Sequence, residues 1–282
     1  MKIKGKVIIS VRVLILVVWL IFAFFPIYWM IITGFKAPKD IYGGPFYFPG
    51  IDFEASYIAW EWLFFKGKEL FLGCLINSIL FATLSSLFVV GIASLTSYGL
   101  ARYRYKYGPF RNNDLLFLIV SQRMMPPIVA IFGLFLIYKT VGLLDTRPGM
   151  IILYMWYNLP LAVFILTDFF RGIPPEIEEA AAVDGYTKLQ QFFKFILPMA
   201  KPGLAATFML CFIFAWNEFL AALITTFEKS QTLPVLISGM NAQMEPMWWT
   251  ISALGTLSII PPAILVIFLD KYLVRGLLFR GR

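Results

Sequence analysis

Six apolar runs, at residues 13–33, 70–101, 115–138, 149–170, 202–227 and 250–273, are separated by polar segments. A helix crossing a bilayer needs about 20 apolar residues, and each run meets that length. The second run is longer than one crossing needs, so it tilts or projects beyond the lipid. Prolines punctuate the pattern. Met124-Met125-Pro126-Pro127 must break the backbone ladder of the third run and kink it. Asn158 precedes Pro160 in the fourth run, and Pro261-Pro262 is expected to interrupt the sixth. The expectation is an all-α, polytopic membrane protein with six transmembrane helices. Residues 1–69 form a first helix and a long outer loop, 70–273 a five-helix core, and 274–282 a tail.

One polar stretch does not fit a span. Pro174-Pro175-Glu176-Ile177-Glu178-Glu179-Ala180-Ala181-Ala182-Val183-Asp184-Gly185 reads as a short helix and a stop. The prolines suit a first turn, and the glutamates complement the positive end of the helix dipole. Gly185 supplies the left-handed residue that ends it. Thr187 and Gln190 have capping-box spacing for a second helix. That helix places Leu189, Phe192, Phe193 and Ile196 on one face and ends at Pro198. A face of Ala180, Ala181 and their neighbours carries no bulk, so another surface can approach the backbone closely. Alone, such a stretch is more often a solvated acidic loop that happens to be helical; its surroundings change that weighting.

Composition supports the membrane reading. The 282 residues are 60% hydrophobic and 14% charged, against about half and a quarter in a soluble domain. The basic N-terminus precedes an apolar run too long for a signal sequence and without a small-residue cleavage site, so it reads as a retained span. The net charge of +8 is explained by topology. Two-thirds of the Lys and Arg residues lie in the N-terminus, residues 102–111, residues 171–201 and the C-terminus. By the positive-inside rule these segments, and both termini, face the cytoplasm. Nucleic-acid binding is not needed to account for the charge. The outer segment at residues 34–69 is rich in Gly, Pro and aromatic rings, which suits the membrane interface or an external partner.

Catalytic constellations are absent. There is no histidine, and Cys74 and Cys211 both lie within apolar runs. No Walker loop is present to bind ATP. Polar residues inside spans carry more information, because placing them in lipid costs a few kcal/mol each. Asn77, Gln122, Arg123, Asn158, Trp216, Asn217 and Glu218 are candidates for a water-accessible path between kinked helices. The alternative is that they bond across helices and hold the bundle together. Asn77 favours that alternative; Arg123 and Glu218 are able to neutralise one another. Trp216 suits either a sugar ring or simple packing.

Glu179-Ala180-Ala181, then Asp184-Gly185, then nine residues and Phe195-Ile196-Leu197-Pro198, resembles the EAA loop of bacterial ABC importer permeases. Phe195 departs from the usual Ile or Val but stays hydrophobic. Asn77-Ser78, Ser97-Tyr98-Gly99-Leu100-Ala101-Arg102, Gly142-Leu143-Leu144-Asp145-Thr146, Ile173-Pro174, Trp216-Asn217-Glu218-Phe219 and Thr232-Leu233-Pro234 resemble the carbohydrate branch, MalG-type. The resemblance implies a type I importer permease with a MetI-like core. It implies as partners a second homologous permease, a cytoplasmic ABC ATPase dimer that alone holds ATP and Mg, an extracytoplasmic solute-binding protein and a carbohydrate. No cofactor is expected in this chain. Glu176, Glu179, Ala180, Ala181, Asp184 and Gly185 would form the helix that couples to the ATPase. Two other readings are set against it. A membrane enzyme expects acidic or histidine clusters near the interface, and a secondary transporter expects inverted repeats; neither feature is visible.

Overall fold

The computed structural model describes residues 2–241 and 246–278. Helix α1 (Lys2–Thr33) continues unbroken past Pro26. The aromatic-rich segment after it holds α2 (Pro38–Tyr42), α3 (Ile58–Glu61) and a π turn at Trp62–Lys66. Helix α4 (Lys68–Arg102) is the longest element and is followed by a hairpin, β1 (Lys106–Tyr107) and β2 (Phe110–Arg111). Then come α5 (Asn112–Ser121), a 3-10 turn at Gln122–Met124, α6 (Pro127–Val141) and α7 (Arg147–Arg171). Helix α8 (Glu176–Val183) is followed by α9 (Lys188–Gln191), a π turn at Phe192–Ile196 and α10 (Leu197–Met199). Helices α11 (Lys201–Trp216), α12 (Leu220–Thr225), α13 (Leu233–Asn241) and α14 (Trp248–Leu278) complete the chain. Residue 1, part of the loop before the last span (242–245) and the end of the tail (279–282) lie outside the described residues.

Among the described residues, four helical stretches are long and apolar enough to cross a membrane: Val11–Thr33, Lys68–Arg102, Arg147–Arg171 and Trp248–Asp270. Six is reached only by counting two bent pairs as one span each. The first pair, Asn112–Met124 with Pro127–Val141, turns by 90°. The expected kink at the double proline is therefore a right-angled break. Met125, ahead of Pro126, is extended at ψ 135, because the proline ring disfavours the helical region for the residue before it. Pro127 then opens α6, where a missing N–H costs nothing.

Pro261-Pro262 behaves differently and corrects the expectation of an interruption: α14 continues through both. Hydroxyls in the preceding turns, Thr256 to the Ser252 carbonyl and Ser258 to that of Gly255, bond the helix backbone locally. The second bent pair joins Lys188–Met199 to Lys201–Trp216 at 73°. The helix opened at Lys188 runs on through the π turn and α10 and ends at Met199, one residue past Pro198, before the break at Ala200.

By contacts the chain divides into two units. The first comprises residues 1–72 and 236–260. There Gly34 and Gly255 let α1 lie close to α14: a Cβ on Gly255 would come 2.8 Å from the Met30 sulfur, and one on Gly34 3.3 Å from the Ala253 backbone. Lys36 is buried with its ammonium 3.9 Å over the Trp29 ring. Burial pushes its pKa down, and Asp40 and Asp52 oppose that. The second unit, residues 73–235 and 261–282, has a core built from α4, α5, α7, the π turn at Phe192–Ile196 and α11. Lipid offers helices no hydrophobic reason to associate, so close approach and polar bonds decide the packing. Gly203 of α11 lies under Phe169 of α7, where an added Cβ would be 2.5 Å from the ring. Ser97 of α4 donates to the Val163 carbonyl of α7 at 2.9 Å.

Candidate functional site

The polar stretch after α7 folds as its residues require. Pro175 precedes α8, and the Glu178 and Glu179 amides bond its carbonyl. Gly185 has φ +83, a conformation glycine adopts at no steric cost. Around it, the Tyr186 amide donates to the Ala181 carbonyl and the Gly185 amide to that of Ala182, both at 3.0 Å. These two bonds form a Schellman stop. Nothing lies within 4 Å of a Cβ placed on Gly185, so its dihedral angle, not crowding, demands glycine. Thr187 and Gln190 cap α9 reciprocally, as expected.

The outward face of α8 differs in part from expectation. Glu176, Glu179, Ala180, Val183 and Asp184 are exposed, but Ala181 is buried and faces the rest of the unit. The unobstructed surface is thus Ala180 with the neighbouring carboxylates and Val183, whose side chain is 88% exposed. Leu189 and Phe193 are exposed, whereas Phe192 and Ile196 are buried. The four were expected on one face. The π turn has more residues per turn than an α-helix and rotates them apart.

A residue the sequence reading passed over holds this loop in place. Glu178 is 7% exposed. Its carboxylate accepts from the Tyr98 hydroxyl at 2.8 Å and pairs with the Arg102 guanidinium. Arg102 also donates to the Ile173 carbonyl at 2.7 Å. The Tyr98 ring packs against Phe192 and Phe170, with centroids 4.8 and 6.0 Å away. The loop on either side of α8 is therefore tied to the C-terminal end of α4. Three glutamates within four residues are visible in sequence; the middle one shares the inward helical face with Ala181, three residues on, and that spacing is the signal that could have found it.

The polar residues of the spans are placed in different ways. Asn77 holds the bundle, as favoured: its amide donates to the Lys229 and Gln231 carbonyls, and its oxygen accepts from Arg147, all at 3.1 Å. Asn217 and Glu218 are not inside a continuous fifth helix. They sit in the break between α11 and α12, where the Glu218 carboxylate caps α12 by accepting from the Ala221 and Ala222 amides at 2.7 and 3.1 Å. Trp216 is buried and stacks on Phe212 at 5.8 Å. Asn158 is buried between α7 and α11; its amide reaches the Cys211 carbonyl at 3.4 Å, and its oxygen has no donor among the described residues.

Arg123 does not pair with Glu218, whose oxygens are committed to the cap. Its guanidinium lies 4.8 Å from the Tyr157 ring and 4.9 Å from the Phe214 ring. Cation–π contacts of this kind offset part of the cost of a charge in a span. Gln122 and Arg123 border a cavity of about 30 Å³ beside the broken span, with Trp156, Tyr157 and Pro160 on its far wall. That volume has room for a water or two.

At the other end of α4 a second carboxylate gathers a loop. Asp145 adopts φ 51, unusual outside glycine. Its oxygens accept from the amides of Phe227, Glu228, Lys229 and Ser230 and from the Ser230 hydroxyl, at 2.9 to 3.1 Å. Burial pushes its pKa up, but these bonds outweigh burial and bring it down to about 2. Ser78 accepts from the Leu233 amide at 2.8 Å, so α4 is fixed to the same loop.

Residues 90–278 match the family described as binding-protein-dependent transport system inner membrane component. The chain belongs to this family. The permease is 33% identical over 276 residues to the diacetylchitobiose uptake system permease protein DasC of Streptomyces coelicolor, covering 97% of this chain and 95% of that protein. It is 34% identical to the trehalose transport system permease protein SugB of Mycobacterium tuberculosis, covering 91% of each. A crystal structure of a bacterial ABC transporter importing alginate contains a chain of the same fold. Its TM-score is 0.72 at 22% identity, over 96% of this permease and 98% of that chain. As an inner-membrane component of such a system, the permease is not an enzyme, and ATP hydrolysis belongs to a separate subunit.

Proposed function

We propose that this permease forms half of the path of a carbohydrate importer and is driven through α8 by a cytoplasmic ABC ATPase. The observation that carries the coupling is the geometry of α8: a capped helix with its carboxylates and Ala180 outward, stopped at Gly185 and bound to the bundle on its inner side. Two relatives named for diacetylchitobiose and trehalose transport, each aligned over more than nine-tenths of the chain, support a di- or oligosaccharide. The excess of Lys and Arg in alternate loops supports a cytoplasmic α8 and cytoplasmic termini.

In this reading Glu176, Glu179, Ala180, Asp184 and Gly185 meet the ATPase, with Glu179 facing a basic group there; Ala181 backs them from inside. ATP and Mg stay on the ATPase. A second permease completes the path, and a solute-binding protein delivers the sugar. A related alginate transporter was crystallised with its oligosaccharide-bound periplasmic protein, which supports that last partner. Closure of the ATPases would shift the two permeases as rigid bodies between inward- and outward-facing states. Gln122, Arg123 and Asn158, beside the broken span, are the candidates to face the path. Lipid covers the exposed apolar surface of α1.

The test is uptake of labelled trehalose, maltose and diacetylchitobiose by cells carrying the whole system. Gly185→Asp and Glu179→Lys are expected to abolish uptake while the chain still inserts. Wild-type uptake in both variants would overturn the proposal.

A further inference from the structure

We infer that Glu178 is a positioning residue that makes α8 and the C-terminal end of α4 move as one body, so that the ATPase stroke enters the bundle along α4. The inference rests on the coupling role proposed for α8. Its own evidence is the bonding around Glu178. Each carboxylate oxygen is held by a different side chain of α4, Tyr98 on one and Arg102 on the other. Arg102 reaches past the carboxylate to the Ile173 carbonyl, ahead of α8. The helix is thus gripped at its inner face and at its entry, and the phenol, guanidinium and carboxylate are all largely removed from water.

A surface ion pair would not transmit a push, because water competes for both charges and the pair contributes little. A buried pair broken by a stroke leaves uncompensated charge, which is costly. The bonded set therefore resists sliding of α8 over α4, and the Tyr98, Phe170 and Phe192 rings brace it on one side. Helix α4 continues to Asn77 and Ser78, which are bonded to the loop gathered by Asp145. A displacement imposed at α8 then has a continuous covalent and hydrogen-bonded route to the opposite end of this unit.

Spin labels at Leu95→Cys and Ala182→Cys, both exposed positions, test this in the membrane complex purified through a tag on this chain. Distances are measured without nucleotide and after trapping with ATP and vanadate. In the otherwise wild-type chain the separation is expected to hold to about 2 Å, the size of ordinary helix adjustments. In Glu178→Ala it is expected to change on trapping by about 5 Å or more, the scale of one element slipping past another. Tyr98→Phe, which keeps the ring packing, is expected to give a smaller change of the same sign. A wild-type separation that changes on trapping overturns the inference while leaving the coupling reading intact, and this measurement needs no mutation at Glu178. A Glu178→Ala chain that holds its separation also overturns it. Purification without any ATPase would overturn the coupling reading and this inference together.

Discussion

Two carboxylates serve the two ends of α4 by opposite means: Glu178 bonds the helix itself, and Asp145 gathers the loop to which Asn77 and Ser78 of α4 are bonded. Asp145 binds backbone: four consecutive amides and one hydroxyl converge on it from residues 227–230. Glu178 binds side chains: a phenol and a guanidinium, both from α4. An amide of the main chain has no rotamer to change, so the Asp145 loop behaves as a folded knot with one fixed shape. Side-chain donors have rotamers, and their charges must be matched. The first arrangement suits a surface that keeps its form; the second suits a joint between elements that carry load. Residues 77 and 102 lie about 37 Å apart along the helix, so one rod links the knot to the joint.

The comparison is broken most severely by charge reversal. Glu178→Lys would bury two cations together, and loss of one partner from a buried pair costs about 3–5 kcal/mol. Little folded permease should survive detergent extraction and size-exclusion chromatography. Combining Glu178→Arg with Arg102→Glu should recover much of it, since the pair is restored with its sign exchanged. Asp145→Ala comes next. It leaves several donors without an acceptor, at about 1–3 kcal/mol for the unsatisfied groups that water does not reach. A lower thermal midpoint and faster proteolysis between residues 226 and 232 would report it. Asp145→Asn, which keeps an acceptor oxygen, should fall between Asp145→Ala and wild type.

The pH dependence at Asp145 sharpens the contrast. Its folded pKa, about 2, is below the unfolded value. The stability it contributes is therefore fully present above about pH 4 and is lost as pH falls toward 2. Between pH 7 and 5 the Asp145→Asn and wild-type melting curves should keep a constant offset, which narrows only in stronger acid. Tyr98→Phe is the mildest probe. It removes one hydrogen bond, worth about 1 kcal/mol, and leaves the ring stacked on Phe192; a small drop in thermal midpoint is the expected result.

Helix existence was legible in the apolar runs, because length in apolar residues is itself the physical requirement for a span. Helix continuity was not. Pro126-Pro127 and Pro261-Pro262 look alike in sequence, yet one breaks the chain by 90° and the other leaves the helix unbroken. Polar Gln122 and Arg123 precede the broken pair and sit in its 3-10 turn; apolar Ile259 and Ile260 precede the intact one. The fifth run concealed its break at Asn217 because Glu218, read as a buried charge in need of a cation, caps the helix that follows. Gly185 was legible for the converse reason: a positive φ leaves few residue choices. Glu178 was hidden between two exposed glutamates of identical chemistry. Only the burial of Ala181 one turn away separates it from them.

Gly203 has a further effect. With the Phe169 ring pressed onto it, α7 and α11 meet with that one ring filling the gap at the level where the intervening loop leaves and returns. The two strokes of that loop, outgoing and incoming, are pinched at their base like the arms of a staple. A twist applied to α8 has little slack to wind up before both arms must turn with it.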